Sequence, residues 1–458
     1  MDASSPRMPV EDQELTVLSE DYSLLTDLYQ LTMSACYLGE GLDQRRASFE
    51  LTVRRLPEGF GYLIAMGLAQ VMDYLKKLHF TSAQIERLQA TGAFTHVPEQ
   101  FWTRLAAAKF TGDVLAVPEG TAVFPHEPLL RVEASLWQAQ LVETYLLNTI
   151  NYQTLVATRA ARLRDLVGPQ TTLLEFGTRR AFSPQASVWA ARAALAAGFN
   201  ATSNVLAAFK LGRNPTGTMA HALVMALAAT TGTEAQAFTA FHRYFPEATL
   251  LIDTFDTIAA ARHLADKVQQ GELELGGVRL DSGDLVVLSQ QVRQLLPGVP
   301  IFASGDVDEA EILRFQAAGA CIDGYGIGTK LVTGSPVNGV YKLVEIDGIP
   351  VMKASRGKQT YPGRKQIFRN YQGGQIWQDR LGLAEETPQN EEPLLQLVFK
   401  QGEIIQPLET LAVIAERTSA SVASLPAATR QLNYPIAPLV QISTDLRSLT
   451  EQTRQAIS

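Results

Sequence analysis

A chain of 458 residues, 46% hydrophobic and 19% charged with a formal net charge of −8, has room for two or three domains or one large barrel with additions. The acidic balance argues against a general nucleic-acid binder, although a local basic cluster can still take an anionic small substrate. Two cysteines, Cys36 and Cys321, allow at most one disulfide and sit in no metal-ligand spacing, which fits a reducing, cytoplasmic setting.

Residues 1–20 are polar and acidic, lack the basic start and apolar core of a secretion signal, and read as a disordered tail. No run is long enough for a membrane span. Leu24, Leu28, Leu31, Ala35 and Leu38 recur at helical spacing, with Tyr29 beside the apolar stripe. Ala47 to Arg54 alternates like a strand and runs into Arg55 and a Pro-Glu-Gly turn. Gly61 to Lys77 reads as helix, 111–133 as β-rich, and Trp137 to Arg164 as a long apolar helical region with a break expected near Asn148–Asn151. Together, 21–140 form an expected N-terminal α+β domain.

From residue 171 the pattern changes. Short apolar runs end in polar or glycine residues and alternate with helical periodicity: 172–180, 249–256, 277–284, 299–306 and 321–330. Helices are expected between them over Ile258–Gln270, Leu285–Leu296 and Asp308–Ala318. Such alternation predicts a parallel sheet whose unusual residues gather at the C-terminal strand ends. No dinucleotide fingerprint and no P-loop is present, so an irregular TIM-like α/β barrel over 141–345 is favoured over a Rossmann sheet. The segment 385–396 reads as an exposed loop. Residues 346–458 are expected to pack back in part on the N-terminal domain.

Four features carry chemistry. Pro215-Thr216-Gly217-Thr218-Met219-Ala220-His221 delivers one of six histidines to a helix start, where unpaired N–H groups favour an anion. A histidine that merely caps a helix is the plainer alternative. Asp281-Ser282-Gly283-Asp284, Ser304-Gly305-Asp306 and Gly326-Ile327-Gly328-Thr329 suit phosphate, because glycine lets the backbone approach an anion and a hydroxyl adds a donor. Phe176 to Arg180 sets an aromatic face beside two guanidiniums. Arg279 lies inside an apolar strand two residues before Asp281, on the same side by alternation, and needs an anionic partner. Asp253 and Asp256 are candidates to orient a histidine or hold a cation.

Five stretches in order resemble the nicotinate phosphoribosyltransferase family of type II phosphoribosyltransferases: Leu25–Met33, Glu175–Arg180, Gly217–His221, Val278–Asp284 and Gly326–Thr329. The resemblance implies conversion of nicotinate and phosphoribosyl pyrophosphate (PRPP) into nicotinate mononucleotide and pyrophosphate, coupled to ATP hydrolysis, in NAD salvage. It implies a transient phosphohistidine at His221; Asp253, as the group to orient the imidazole, and Asp281 are the further catalytic candidates on general grounds. Tyr29, Phe176, Thr218 and Arg279 match nicotinate-contacting positions. Arg179, Gly305, Asp306, Gly326, Gly328 and Thr329 match phosphoribosyl-binding positions, and Ser282 and Gly283 join them as phosphate-binding candidates. Mg²⁺ is expected with PRPP and ATP, no metal ligand is assigned, and a homodimer is implied in which Tyr29 comes from the partner chain. Neither nucleic acid nor membrane is an expected partner. The alternatives are a nicotinamide phosphoribosyltransferase-like enzyme, for which a neutral amide demands no cation, and a non-catalytic barrel that binds phosphoribosyl ligands.

Overall fold

The computed structural model describes residues 15–355 and 360–456, apart from the side chain of Thr231. Of the expected tail, residues 1–14 lie outside the described residues, and Ser19–Asp21 forms a 3-10 turn. The first helix runs from Leu28 to Gly39 rather than from Leu24. The reason is local: Asp27 stands at the N-cap, and the Gln30 side chain accepts its N–H at 3.1 Å.

One layer is a seven-stranded antiparallel sheet. Its strand order is Ile349–Pro350, Gly339–Ile346, Arg46–Val53, Pro128–Ser135, Asp113–Ala116, Gln396–Lys400, Glu403–Ile404. Strands from both ends of the chain therefore share one sheet. Arg46–Val53 is covered on both faces, so Phe49, Leu51 and Val53 are buried and so is Glu50, which pairs with the buried Lys365 at 2.9 Å.

Three expected boundaries move. Gly61–Lys77 is not one helix: Leu63–Ile64 pairs with Ala122–Val123, and the helix starts only at Leu68. Gly67 separates the two with φ 107°, a conformation that interrupts a right-handed helix and that side-chain-bearing residues avoid. The long helical region does not break near Asn148–Asn151. It breaks at Val142, between Leu136–Leu141 and Glu143–Val167. Asn151 stays helical because its side chain finds a partner outside the helix, accepting the Gly339 N–H at 3.1 Å. Within 385–396, Glu392–Pro393 pairs with Phe368–Arg369 and Leu394 and Leu395 are buried, so that stretch is only partly an exposed loop.

The second layer is a parallel sheet of six strands in the order Ala201–Thr202, Thr172–Glu175, Gly324–Ile327, Ile301–Ala303, Val278–Leu280, Leu250–Leu251. Five match the expected runs; the sixth, Ala201–Thr202, is too short to show a period. Helices Thr257–Gln269, Leu285–Leu295 and Glu309–Ala317 follow their strands within a residue of expectation. Val278, Leu280, Ile301 and Ala303 pack into one hydrophobic core with helical Leu264, Val292 and Ile312. Arg279 and Phe302, intervening residues paired across the sheet, face the other side and are only half-buried. Among the described residues no ladder joins the two edge strands, and none of their helices is long and apolar enough to cross a membrane.

Candidate active site

The turn before His221 spans the gap between the edge strands. At one end the Thr216 N–H donates to the Thr202 carbonyl at 2.9 Å. At the other, His221 Nδ1 lies 3.1 Å from the Thr254 hydroxyl, just past Leu250–Leu251. In between, the Met219 carbonyl accepts the Thr218 hydroxyl at 3.1 Å and Arg279 Nη2 at 2.9 Å. Thr218, His221 and Arg279 are thereby brought to the C-terminal end of the parallel sheet, from two separate parts of the sequence.

His221 is the first residue of the helix His221–Thr231 and does not cap it. Its Nε2 points to Asp281 Oδ2 at 3.9 Å, beyond hydrogen-bond length, and the side chain keeps 39% exposure. The expectation that Asp253 orients the imidazole is not met. Asp253 Oδ2 instead accepts the Asp281 N–H at 2.8 Å and the Ser282 hydroxyl at 2.7 Å, so it braces the next loop while Thr254 holds the ring. Among the described residues the buried Asp253 Oδ1 has no hydrogen-bond partner. Asp281 Oδ1 takes the Ser304 hydroxyl at 2.5 Å, leaving Oδ2 facing the imidazole. Asp256 is engaged elsewhere than at a histidine: it caps Thr257–Gln269 by accepting the Ile258 and Ala259 N–H groups at 3.0 and 2.9 Å.

Arg279 is sparsely paired for a half-buried cation. Met219 O takes one Nη2 proton, and among the described residues the buried Nε has no hydrogen-bond partner. Burial lowers its pKa, Asp281 and Asp253 pull it back up, and nearby Arg179 adds to the lowering. The guanidinium lies 5.9 Å from the centroid of the Phe176 ring, within cation–π range. A β-carbon at Gly326 would sit 2.4 Å from that ring, so only glycine leaves the ring in place. Phe176, Arg279 and Gly326 thus form the wall of a slot with an aromatic face and a cationic end.

The phosphate candidates occupy the adjoining loops. Gly305 has φ 87°, and a β-carbon there would meet the Asp281 carbonyl at 2.3 Å. Asp306 adopts φ 53° without being glycine, and such left-handed backbone gathers at functional turns. Ser282, Gly283 and Asp306 are exposed, Thr329 and Gly328 half-buried. Arg179 is exposed on the loop after Phe176. Among the described residues no group of three or more His, Cys, Asp or Glu side chains could hold a metal ion.

Three family models cover most of the chain: the nicotinate phosphoribosyltransferase N-terminal domain over 24–151, the nicotinate phosphoribosyltransferase family over 171–299, and its C-terminal domain over 385–450. The chain belongs to the nicotinate phosphoribosyltransferase family. It is 37% identical over 442 residues to nicotinate phosphoribosyltransferase pncB2 of Mycobacterium tuberculosis, covering 93% of this chain and 94% of that one. It is 40% identical over 370 residues to nicotinate phosphoribosyltransferase of Bacillus subtilis, covering 76% and 73%. The crystal structure of human nicotinic acid phosphoribosyltransferase superposes with a TM-score of 0.83 at 30% identity, over 93% of this chain and 99% of that one.

In this nicotinate phosphoribosyltransferase-family chain, one candidate stands apart. Tyr29 is half-exposed on the helix Leu28–Gly39, next to Asp27 and Glu143, and among the described residues no hydrogen bond or ring contact ties it to the strand ends. Thr254 and Phe302 went unassigned in the sequence. Thr254 had a signal, a hydroxyl directly after Asp253 at a strand end. Phe302 had none, since its place beside Arg279 comes from strand register.

Proposed function

We propose that the chain is a nicotinate phosphoribosyltransferase acting in NAD salvage, with the slot at the parallel-sheet ends as its active site. The observation that carries the reading is Arg279, a half-buried cation with an unpartnered Nε above the Phe176 ring. Nicotinate is a flat ring ending in a carboxylate. The ring suits the Phe176 face, and the carboxylate suits the guanidinium fork and the Thr218 hydroxyl. A neutral amide would leave that cation without a counter-charge, which favours the acid over nicotinamide.

The pyridine nitrogen has a free lone pair. It attacks the ribose anomeric carbon as the bond to the pyrophosphate oxygen breaks, so no general base is needed. The protein's work is to align the two reactants and to stabilise charge on the departing pyrophosphate. Backbone at Gly305, Asp306, Gly326 and Gly328, the hydroxyls of Ser282 and Thr329, Gly283 and Arg179 serve the phosphoribosyl side. Mg²⁺ enters as part of the PRPP complex. A site with scattered carboxylates rather than a cage suits an ion that keeps its waters and is held mainly by substrate phosphates, with Asp281 and Asp306 in reach of the strand ends.

ATP coupling belongs to this reading through His221. Its Nδ1 is held by Thr254, which leaves Nε2 as the nitrogen open to take the γ-phosphoryl group, releasing ADP. Hydrolysis of the phosphohistidine later returns phosphate. The reading further takes the parallel sheet as an irregular barrel, bridged at its seam by the turn 215–221, and the enzyme as a cytoplasmic homodimer in which Tyr29 reaches the slot of the partner. The test is product formation from PRPP with nicotinate and nicotinamide in parallel, each with and without ATP. Turnover of nicotinamide alone, or of neither, refutes it.

A further inference from the structure

Glu175 ends the strand Thr172–Glu175 and is fully buried. Burial raises its pKa, and only two hydrogen-bond donors act against that: the Thr202 hydroxyl and the Gly177 N–H. Among the described residues no lysine or arginine pairs with it. A buried carboxylate without a counter-cation costs stability that an apolar residue would not, so it is to be read by what it holds.

It holds two loops directly and a third through one of them. One carboxylate oxygen accepts the Gly177 N–H, the other the Thr202 hydroxyl, and the Glu175 carbonyl accepts the Ser203 N–H at 3.0 Å. Thr202 passes the constraint on, because its carbonyl accepts the Thr216 N–H at 2.9 Å and its hydroxyl the Asn204 N–H at 2.9 Å. Gly177 has no slack on its far side, where a β-carbon would lie 2.3 Å from Val332. The loop on the Gly177 side carries Phe176. The turn on the Thr216 side carries Thr218 and the Met219 carbonyl that takes Arg279.

We propose that Glu175 is a positioning residue for the pyridine slot: its carboxylate fixes the Phe176 ring relative to the Thr218–Met219 turn, and so sets nicotinate recognition without touching the substrate. The inference rests on the nicotinate reading above. Of the phosphoribosyl candidates Arg179 shares the Gly177 loop, whereas those after Val278–Leu280 and Ile301–Ala303 hang from other strands and are not held by the Glu175 carboxylate.

The experiment compares Glu175→Gln, Thr202→Val and the double variant in the full chain, with KM for nicotinate, KM for PRPP and kcat measured well below each melting temperature. Glutamine keeps one acceptor where the carboxylate offered two; that oxygen stays on the Gly177 N–H, which can only donate, and the tie lost is the one from the Thr202 hydroxyl. Each single variant is expected to raise KM for nicotinate roughly 10-fold, with KM for PRPP unchanged. The double variant should be no worse than either single, because both break the same tie. A KM for nicotinate that stays at the wild-type value, a KM for PRPP that rises in step with it, or additive effects in the double variant would overturn the inference. If Glu175→Gln does not fold, Thr202→Val decides alone by the same two KM values. Wild-type enzyme that does not turn over nicotinate sinks the functional reading instead, before any variant is compared.

Discussion

Replacing Arg279 by methionine separates function from stability. In the folded protein the guanidinium makes one hydrogen bond, to Met219 O at 2.9 Å, and its Nε is buried unpaired. Removing it forfeits about 1 kcal/mol for that bond but also removes a poorly paired buried cation, a change that is often neutral or stabilising. The Met219 carbonyl is not orphaned, since the Thr218 hydroxyl still donates to it at 3.1 Å. Stability should therefore change by no more than about 1 kcal/mol, a shift of a few degrees at most for a chain this long. Nicotinate binding should change much more. Truncating one side of a buried charge pair costs about 2–5 kcal/mol; a mid-range 3 kcal/mol is roughly a 150-fold loss of affinity. Calorimetric titration with nicotinate and separately with PRPP, alongside a melting curve, reads all three quantities. Wild-type affinity for nicotinate in the variant refutes the slot, and a melting temperature lower by more than about 10 °C shows that Arg279 is a structural cation.

Gly326→Ala places a β-carbon 2.4 Å from the Phe176 ring; the overpacking costs about 1–3 kcal/mol, and the displaced ring should raise KM for nicotinate, so an unaltered KM counts against the ring's role. Thr254→Val removes the hydroxyl at His221 Nδ1; transfer of label from γ-labelled ATP to the protein should fall about 5- to 10-fold, and His221→Asn should abolish it, whereas label persisting in the asparagine variant assigns the phosphoryl acceptor elsewhere. Glu234 gives a pH signature, because burial, with Asp253 and Asp256 adding, pushes its carboxyl up to about 7. A folded pKa above the unfolded one means a contribution that is complete below the unfolded value of about 4.3 and is lost as pH rises through about 7. Wild-type melting temperature should accordingly fall across that window more than that of Glu234→Gln, and parallel profiles refute the shift.

The parallel sheet was legible in the sequence because each strand is a short apolar run closed by glycine or acid, and each following helix has its own period. What stayed hidden depended on pairing between distant parts. Ala201–Thr202 is two residues long, and Gly339–Ile346 is recognisable as a strand of the N-terminal sheet only through its ladder with Arg46–Val53. At the site, residue types pointed to the right loops while partners did not follow from type. Asp253 and Asp256 look alike in the sequence, yet one braces Asp281 and Ser282 and the other caps a helix. The orienting group for His221 is a threonine hydroxyl, which carries less sequence signal than a neighbouring carboxylate. Asp284 likewise serves as a helix cap, taking the Val286 N–H at 3.1 Å, despite standing in a phosphate-like motif.

The two layers are bound to the slot by one helix. Glu143–Val167 gives Tyr145, Leu146, Ile150 and Leu155 to the core of the antiparallel layer, and Val156, Ala157, Ala160 and Ala161 to the core of the parallel one. From its middle, Tyr152 donates to the Val332 carbonyl at 3.1 Å, and Val332 is the wall against which Gly177 and so Phe176 are set. A displaced antiparallel layer would therefore move the pyridine slot. That layer takes strands from both chain ends, whose register must be exact because a one-residue slip turns every side chain to the wrong face. Buried charges help to impose it: Glu50 stands opposite Arg131 across the ladder, 3.9 Å from its Nη1, and pairs with Lys365 of the strand Lys365–Gln372 at 2.9 Å. Such pairs add little net stability over apolar residues, but separating one costs about 3–5 kcal/mol. A one-residue slip between Arg46–Val53 and Pro128–Ser135 would take Glu50 away from its place opposite Arg131, so the penalty falls on that wrong register, and the slot inherits part of its geometry from charges that line no part of it.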